Sequence, residues 1–293
     1  MTVSKNLLKI ESHRVPELSQ KVRLQEYGVG LFRRLVSRKA VKNAIKKGLV
    51  FINSERGYTG DWIIGGETID LFQDLDDKKP ELDFELEVLF EDDHLAVINK
   101  PAGILVSGNK LYTIENALSF NLKKSTQPDA LSRPDPIHRL DYPTTGALLV
   151  SKTATLLMEL NQLFENRLIS KSYMAVTMGS MSESGTIETP IDGKASRSEF
   201  TKLESIASPR FEFLNLVRLH PHTGRRHQLR KHLSEIGNPI LGDHRYGIPG
   251  TVLKGKGLYL HAHSLQFEHP VTKKEVSIAA PLPKKFGKLF PEA

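Results

Sequence analysis

The sequence predicts an α+β protein in two parts, a small α/β domain and a larger domain built on a mixed, largely antiparallel β-sheet with flanking helices. In the larger part, predicted strands outnumber predicted helices and do not alternate regularly with them, which argues against a doubly wound parallel sheet. The smaller part shows a short helix that ends at a glycine and leads into a strand. An acidic stretch that contains a proline separates the two parts.

The composition is typical of a globular chain. Of the 293 residues, 39% are hydrophobic and 26% are charged, and the length suffices for one large domain or two ordinary ones. Cysteine is absent, which excludes disulfides, thiol nucleophiles and thiolate metal sites. Residues 1–14 lack the apolar stretch of a secretory signal, and no run approaches the length of a membrane span. We therefore expect a cytoplasmic protein that does not associate with membranes.

The charge distribution indicates where the two parts meet. Residues 1–73 contain 13 basic and 7 acidic residues, residues 74–100 contain 3 and 10, and residues 101–293 contain 25 and 17. We therefore predict an N-terminal domain at 1–73, an acidic linker at 74–84 and a second domain at 85–293. The net charge of +7 favours an anionic partner.

The N-terminal part begins with a predicted helix at 37–48. Ser37 is suited to cap the start of this helix, and Gly48 is suited to end it in a left-handed turn. Residues 49–53 then predict a strand, and a pair of glycines leads the chain into a second strand at 68–72.

One side of this predicted helix is apolar and the rest of it is basic. No acidic residue lies between Glu26 and Glu55 to offset the basic residues of this segment. A solvated helix face accounts for most charge runs, but a face of one sign is better explained by contact with phosphates, so we favour nucleic-acid binding. The candidate RNA-binding residues are Arg33, Arg34, Arg38, Lys39, Lys42, Lys46 and Lys47.

The larger part divides into short predicted elements. The helix at 155–167 has apolar residues at the i, i+1, i+4, i+7 and i+8 spacing of a helix that packs on one side. The helix at 226–236 ends at Gly237 and is followed by Pro239. A third helix is predicted at 113–124, and strands are predicted at 86–90, 95–99, 146–151, 172–178, 211–219 and 258–267.

The helix at 226–236 has two expected faces. We expect Leu229, Leu233 and Ile236 to be buried. We expect Arg226 and Arg230 to lie one turn apart on another face. Such a pair of guanidinium groups suits phosphate or carboxylate partners, although an exposed basic helix would account for it equally well.

Two further segments contain candidate site residues. Residues 138–146 place His138, Arg139 and Asp141 within four positions, on a predicted turn before a strand. An Asp in such a place either caps the turn or acts as a reactive group. Tyr173, at the start of the strand at 172–178, is either a core residue or part of a site.

Taken together, these segments resemble the RluA-type pseudouridine synthases. Residues 138–146 have the pattern His-Arg-Leu-Asp-x-x-Thr-Thr-Gly, and residues 224–233 have the sequence Gly-Arg-Arg-His-Gln-Leu-Arg-Lys-His-Leu. Thr145 stands where the family usually has Ser, which keeps a hydroxyl group. Supporting matches follow the family's order at 95–103, 171–173, 237–243, 260–263 and 269–270, so that the resemblance extends over residues 86–283.

The N-terminal part has a resemblance of its own. Residues 21–73 resemble the small S4-type RNA-binding domain, in the basic helix and in the Lys-Gly-Leu-Val-Phe-Ile-Asn segment that follows it. Residues 58–62 are less typical of that domain. A domain of this type also occurs in RluA-type enzymes, where its basic helices bind structured RNA.

The resemblance implies an RNA isomerase. Such an enzyme detaches uracil from its ribose, turns it and rejoins it through carbon 5, with no redox change, so that no cofactor is required. By this match Asp141 is the catalytic carboxylate and Arg230 holds it ionised. Tyr173 would stack on the uracil, and Arg139 would fill the gap that the flipped uridine leaves. Whether Asp141 attacks the sugar, attacks the base or removes a sugar proton stays open.

The same match implies a set of substrate-binding residues and a partner. The partner is structured RNA, either ribosomal or transfer RNA, and no obligatory protein partner is evident. The substrate-binding residues are His138, Arg139, Leu140, Thr145, Lys171, Arg226, His227 and Gln228.

Three other interpretations rank lower. Histidine pairs at 220–222 and 261–263 lack the third ligand of a metal site, and we predict no metal. Residues 250–257 nearly match a nucleotide phosphate loop but end in Gly257 rather than Ser or Thr, so we expect a flexible loop. The main rival is a non-catalytic RNA-binding or ribosome-assembly factor. The presence of Asp141, Tyr173 and Arg230 argues against this rival.

Overall fold

A computed structural model describes residues 6–74, 80–248, 255 and 257–291. The central part of the predicted acidic linker and most of the glycine-containing segment at 250–257 lie outside these residues. Each helix in the described ranges is too short or too polar to span a lipid bilayer.

The N-terminal residues form a four-stranded antiparallel sheet, in the order β1-β6-β3-β4, and a two-stranded ribbon of β2 and β5. Its elements are β1 (Leu7–Arg14), β2 (Val22–Arg23), α1 (Leu24–Tyr27), α2 (Arg38–Lys46), β3 (Val50–Ile52), β4 (Glu55–Arg56), β5 (Trp62–Ile63) and β6 (Thr68–Asp74).

The predicted basic helix corresponds to α2. Ser37 Oγ accepts a hydrogen bond from Ala40 N at 3.2 Å and so caps the helix start, and Gly48 follows the helix end with a φ of 70°. Both end signals are confirmed. The apolar face of α2 packs into a core that lies within residues 15–71.

The larger part is a ten-stranded sheet with flanking helices. Its order is β12-β13-β14-β11-β15-β10-β8-β7, with β16 beside β15 and β9 beside β10. The strands are β7 (Glu87–Glu91), β8 (Leu95–Lys100), β9 (Ala130–Pro136), β10 (Thr145–Thr153), β11 (Ser170–Met178), β12 (Ser184–Ile187), β13 (Ser198–Ser208), β14 (Glu212–Pro221), β15 (Leu260–Glu268) and β16 (Glu275–Ala279).

The predicted fold class is confirmed. Pairing within this sheet is antiparallel except between β10 and β15. The helices are α3 (Ile114–Asn121), α4 (Ala154–Glu165), α5 (Gln228–Glu235) and α6 (Lys284–Gly287).

Helices α3 and α4 cover opposite faces of the sheet. Because side chains alternate along a strand, Leu148 and Val150 of β10 pack with α3, while Ala147 and Leu149 pack with α4. The apolar spacing predicted for the helix at 155–167 is confirmed, since Leu156 and Leu160 are buried and the other three apolar side chains pack around them.

Two expectations about the helix at 226–236 are wrong. His227 has a left-handed φ of 57°, so α5 begins only at Gln228 and Arg226 lies exposed before it. Arg226 and Arg230 are therefore not one helical turn apart. Leu229 and Leu233 are buried as expected, but Ile236 is 40% exposed, because it follows the last helical residue.

Gly146 allows the central strands to meet. It has a φ of +112°, and a Cβ at this position would lie 2.1 Å from the carbonyl oxygen of Ala262. At this residue β10 pairs with β15 in parallel and with β8 in antiparallel fashion. The close contact fixes the start of β10, and with it the loop that contains Asp141.

We predict that Gly146→Ala lowers the free energy of unfolding by about 2–5 kcal/mol, since strain at positive φ adds to overpacking against Ala262. Urea unfolding followed by circular dichroism measures the change. Gly287→Ala is a matched control, because no atom lies within 4 Å of the added methyl group and φ is not positive there. Equal unfolding midpoints for the two variants would show that the strands shift to accept the added methyl group at residue 146 without a loss of stability.

Candidate active site

A cleft of about 1210 Å³ opens at the start of β10. The loop before β10, the first residues of β11 and the segment that leads into α5 all line it. The three predicted catalytic residues, Asp141, Tyr173 and Arg230, meet in this cleft although they are far apart in the sequence.

An ion pair joins two of these residues. Arg230 Nη1 donates to Asp141 Oδ2 at 3.0 Å, and the side chains are 8% and 17% exposed. The two charges attract each other strongly, because the guanidinium is close and water has little access to the pair. Asp141 keeps enough exposure to meet a molecule in the cleft.

Asp243 holds the same guanidinium from its other edge. Arg230 Nε donates to Asp243 Oδ2 at 2.7 Å and Nη2 donates to Oδ1 at 2.8 Å, so the pair is bidentate. The Asp243 side chain is fully buried. Burial raises its pKa, but hydrogen bonds from Arg230 and from the amides of Arg245 and Tyr246 outweigh this effect and hold the pKa below the ordinary value. Asp243 therefore fixes the plane in which Arg230 reaches Asp141.

Lys100 supports the loop that contains Asp141. Its fully buried ammonium donates to the carbonyl oxygens of Thr144 at 2.8 Å, Pro101 at 2.9 Å and Tyr142 at 3.3 Å. Burial lowers the pKa of Lys100 to about 8, and the charge of Asp141 opposes that shift. The three carbonyl groups replace the hydration of the ammonium and tie β8 to the loop before β10.

Tyr173 is both a core residue and a wall of the cleft. Its ring packs against the core around β11 and against the core beneath α3. Burial raises the pKa of the phenol above its ordinary value, and the charge of Asp141 adds to the shift. The phenol therefore stays neutral and presents an aromatic surface beside the carboxylate.

His227 completes the wall near the ion pair. Its Nδ1 shares a hydrogen bond with Tyr246 Oη at 2.8 Å, and its Nε2 lies 3.7 Å from Asp141 Oδ1. The ring of Tyr246 also faces the Arg230 guanidinium, 5.1 Å from centroid to Cζ. Burial lowers the pKa of His227, the charge of Asp141 opposes this shift, and the neighbouring arginines add to it, so that the net shift is downward. The imidazole is therefore neutral near pH 7.

Four of the predicted substrate-binding residues are engaged within the protein. His138 Nε2 accepts from Leu149 N at 3.1 Å, and burial lowers the pKa of this imidazole to about 3. Thr145 Oγ1 shares a hydrogen bond with His261 Nδ1 at 2.8 Å. Leu140 is buried in the core beneath α3.

Gln228 is the fourth of these residues. Its Oε1 accepts from Thr223 Oγ1 at 2.6 Å and from Arg225 N at 3.0 Å. Its Nε2 donates to Arg197 O at 2.9 Å and to Ser198 Oγ at 2.8 Å. The amide thus braces the segment at 223–225, which lines the cleft.

The other predicted contacts are cations at the cleft. Arg139 and Arg226 are exposed and line it. Lys171 is half-buried, with its Nζ 5.3 Å from the centroid of the Phe164 ring, and burial lowers its pKa. These three side chains add positive charge to the lining of the cleft.

Four of the seven predicted RNA-binding residues lie on α2. Arg38, Lys39, Lys46 and Lys47 are exposed. Arg38 forms an ion pair with Glu26 of α1, so this acidic residue does offset one charge of the predicted run. Arg33 is exposed before α2, Arg34 Nη1 donates to Gln73 Oε1 at 3.4 Å, and Lys42 is half-buried.

Three of the four histidines in these pairs contact partners within the protein. His261 and His263 both face the carbonyl oxygen of Ala280, at 3.4 Å and 3.2 Å. His222 Nε2 lies 3.1 Å from Glu199 Oε1. Among the residues that the structure describes, no group of three or more His, Asp or Glu side chains converges as a metal site would require.

Lys100, Asp243 and Tyr246 were not recognised as site residues from the sequence. Each lies in or beside a segment used only as a supporting match, 95–103 or 237–243. Lys100 is marked only by the proline that follows it, and Asp243 is the last residue of the segment at 237–243. Their roles depend on contacts between distant parts of the chain.

Comparisons with known proteins agree on one family. The family model described as RNA pseudouridylate synthase matches residues 94–235. The ribosomal large subunit pseudouridine synthase D of Xanthomonas campestris pv. campestris is 31% identical over 87% of this chain and 84% of its own length. The tRNA pseudouridine synthase C of Haemophilus ducreyi is 32% identical over 70% of this chain and 95% of its own length.

A solved structure agrees with these matches. The structure of human RNA Pseudouridylate Synthase Domain Containing 4 is 27% identical in sequence. The two structures superpose with a TM-score of 0.56, and the match covers 68% of this chain and 90% of the human chain.

We predict that Asp243→Asn lowers the free energy of unfolding by about 3–5 kcal/mol, because it leaves the Arg230 guanidinium buried without its bidentate partner. Urea unfolding at neutral pH measures the loss. Asp192→Asn is the matched control, since its ion pair with Lys231 is exposed to solvent and contributes little to stability. A loss no larger than that of the control would contradict the structural role of Asp243.

The pH dependence of stability tests the same contact. Folding lowers the pKa of Asp243, so its stabilising contribution is present above the unfolded value of about 3.9 and is lost as the pH falls through the folded value. Between about pH 6 and about pH 3 we therefore expect the wild-type protein to lose more stability than Asp243→Asn. Parallel curves would mean that Asp243 does not titrate in this range.

Proposed function

The chain belongs to the RluA-type family of RNA pseudouridine synthases, and from this premise we propose that it isomerises uridine in structured RNA with Asp141 as the essential carboxylate. The proposal depends above all on the ion pair between Asp141 and Arg230 at 3.0 Å inside the cleft. The reaction requires a carboxylate that is held in place by a cation, little exposed and open to a ligand.

The reaction breaks the bond between uracil N1 and ribose C1′ and forms a bond from C5 to C1′. The proton on C5 is released to solvent, and N1 takes up a proton. The base keeps its oxidation state, so the chemistry needs a nucleophile or a base but no redox partner. Asp141 fits three routes: attack at C1′, attack at the uracil ring, or removal of a ribose proton. In each of them Arg230 stabilises the anionic carboxylate and Asp243 keeps Arg230 aligned.

The other residues of the cleft would bind the extruded nucleotide. The ring of Tyr173 offers a stacking surface for uracil beside the carboxylate, and its neutral phenol adds no charge there. Arg139 is exposed and lies two residues before Asp141, a position from which it would fill the space that the base leaves in the RNA stack. Arg226 and Lys171 would contact the flanking phosphates.

The N-terminal residues would anchor the RNA. We assign residues 1–73 as an S4-type domain, on the resemblance of residues 21–73 and on the exposed lysines and arginines of α2. Contacts between these cations and phosphates supply affinity that falls steeply with salt.

We favour ribosomal RNA of the large subunit as the substrate, with transfer RNA as the alternative. The relative named for large-subunit RNA matches 87% of this chain, whereas the relative named for tRNA matches 70%. Transcripts of large-subunit RNA fragments and of tRNAs, compared at equal concentration, distinguish the two. Preferred modification of tRNA would overturn this choice of substrate but not the activity.

We predict that Asp141→Asn folds normally and binds RNA but loses turnover by at least about a thousandfold, because the amide can act neither as nucleophile nor as base. Release of tritium from RNA labelled at uracil C5 measures turnover. Asp83→Asn is the matched control, since Asp83 is exposed and lies outside the cleft. Turnover of Asp141→Asn close to that of the control would refute the assignment.

We predict that removal of residues 1–73 weakens RNA binding more than it harms the folding of the rest. Each phosphate contact that is lost should also reduce the slope of log affinity against log salt by about 0.7–0.9. Filter binding at several salt concentrations measures both effects, and circular dichroism checks the fold. A truncated protein with unchanged affinity and an unchanged slope would contradict the anchoring role.

A further inference from the structure

Two exposed aromatic side chains lie close together in the sequence of the N-terminal part. Trp62 is 44% exposed and Tyr58 is 59% exposed. Each has a cation against its ring: Arg23 Cζ lies 3.8 Å from the Trp62 centroid, and Arg56 Cζ lies 5.7 Å from that of Tyr58. Lys21 Nζ also lies 4.7 Å from the Trp62 ring. These five residues are called the aromatic patch below.

The backbone holds this patch in place. Trp62 pairs with Arg23 across the ribbon of β2 and β5, and its neighbour Ile63 is fully buried, so the alternation of the strand turns Trp62 outward. Tyr58 N donates to Asp61 Oδ2 at 2.7 Å, and Asp61 N donates to Tyr58 O at 3.1 Å. One tight turn therefore presents both rings, and the carboxylate of Asp61 is engaged in holding it.

The patch continues into the basic helix. Arg56 Nη2 donates to the carbonyl oxygen of Lys46 at 3.2 Å, so the cation beside Tyr58 also sits at the C-terminal end of α2. Lys46 and Lys47 are exposed at this end. The positively charged surface of α2 and the aromatic patch are thus contiguous.

We propose that the aromatic patch binds unpaired nucleotides of the RNA, with bases stacking on Trp62 and Tyr58 and phosphates meeting Lys21, Arg23 and Arg56. A ligand for this surface needs a flat apolar face and a negative charge close together, and a nucleotide has both. Stacking on aromatic rings tolerates every base, and the cations over the rings of Trp62 and Tyr58 supply positive charge for the phosphate backbone. The inference rests on the proposed function, since it takes RNA to be the partner of the N-terminal part.

The chain offers a direct probe, because Trp62 is its only tryptophan. We expect short single-stranded oligouridylate and oligoadenylate, titrated into the full-length protein, to quench its tryptophan fluorescence in a saturable way. Trp62→Ala should weaken RNA binding by about 5- to 150-fold, and Trp62→Phe should restore most of the affinity. Phe120→Ala, which removes a 53% exposed aromatic side chain outside the patch, should leave binding unchanged.

The outcomes separate this inference from the proposed function. Binding of labelled RNA, followed by anisotropy, without any change in Trp62 emission would overturn the inference, and so would wild-type affinity in Trp62→Ala. Turnover would continue in either case if the proposed function is right. An emission change that depends on protein concentration in the absence of RNA would assign the patch to contacts between copies of the chain and would also overturn the inference. If the wild-type protein neither released tritium nor bound RNA, the proposed function itself would be refuted.

Discussion

The site depends on one arginine that is shared between two carboxylates. Arg230 binds Asp243 through two hydrogen bonds and Asp141 through one, so its guanidinium has a fixed plane and a fixed direction. A buried guanidinium with a single carboxylate would leave donors unpaired or rotate to find other partners. The second carboxylate removes that freedom. Asp141 therefore meets a cation whose position is set by the protein before any RNA arrives.

The supports of the site lie behind the residues that face the cleft. Lys100 binds two carbonyl groups of the turn that follows Asp141. Gln228 braces the segment before α5, and Tyr246 contacts both His227 and Arg230. Few of these contacts are local in sequence. Rigid support of this kind suits a catalytic site, because reacting groups must be held in their productive geometry.

Parts of this arrangement could be predicted from the sequence and parts could not. Apolar spacing and end signals located α4 and α2 because those patterns are local. The start of α5 was misplaced because His227 adopts a left-handed conformation, which is rare for a residue other than glycine. Strand β13 was not predicted, since its polar residues show no clear alternation. The sequence around Asp243 does not indicate a role in the site, because that role arises only when the fold brings Asp243 to Arg230.

The order of strands in the sheet also determines how much of the chain must be synthesised before the site can form. β15 lies between β10 and β11, and Thr145 meets His261 across 116 positions of sequence. A chain emerging from the ribosome therefore cannot close the sheet around Asp141 until Leu260–Glu268 have been synthesised. Such distant pairing slows folding, because a long loop must be ordered before its contacts form. Incomplete translation products that stop short of β15 consequently lack an assembled cleft.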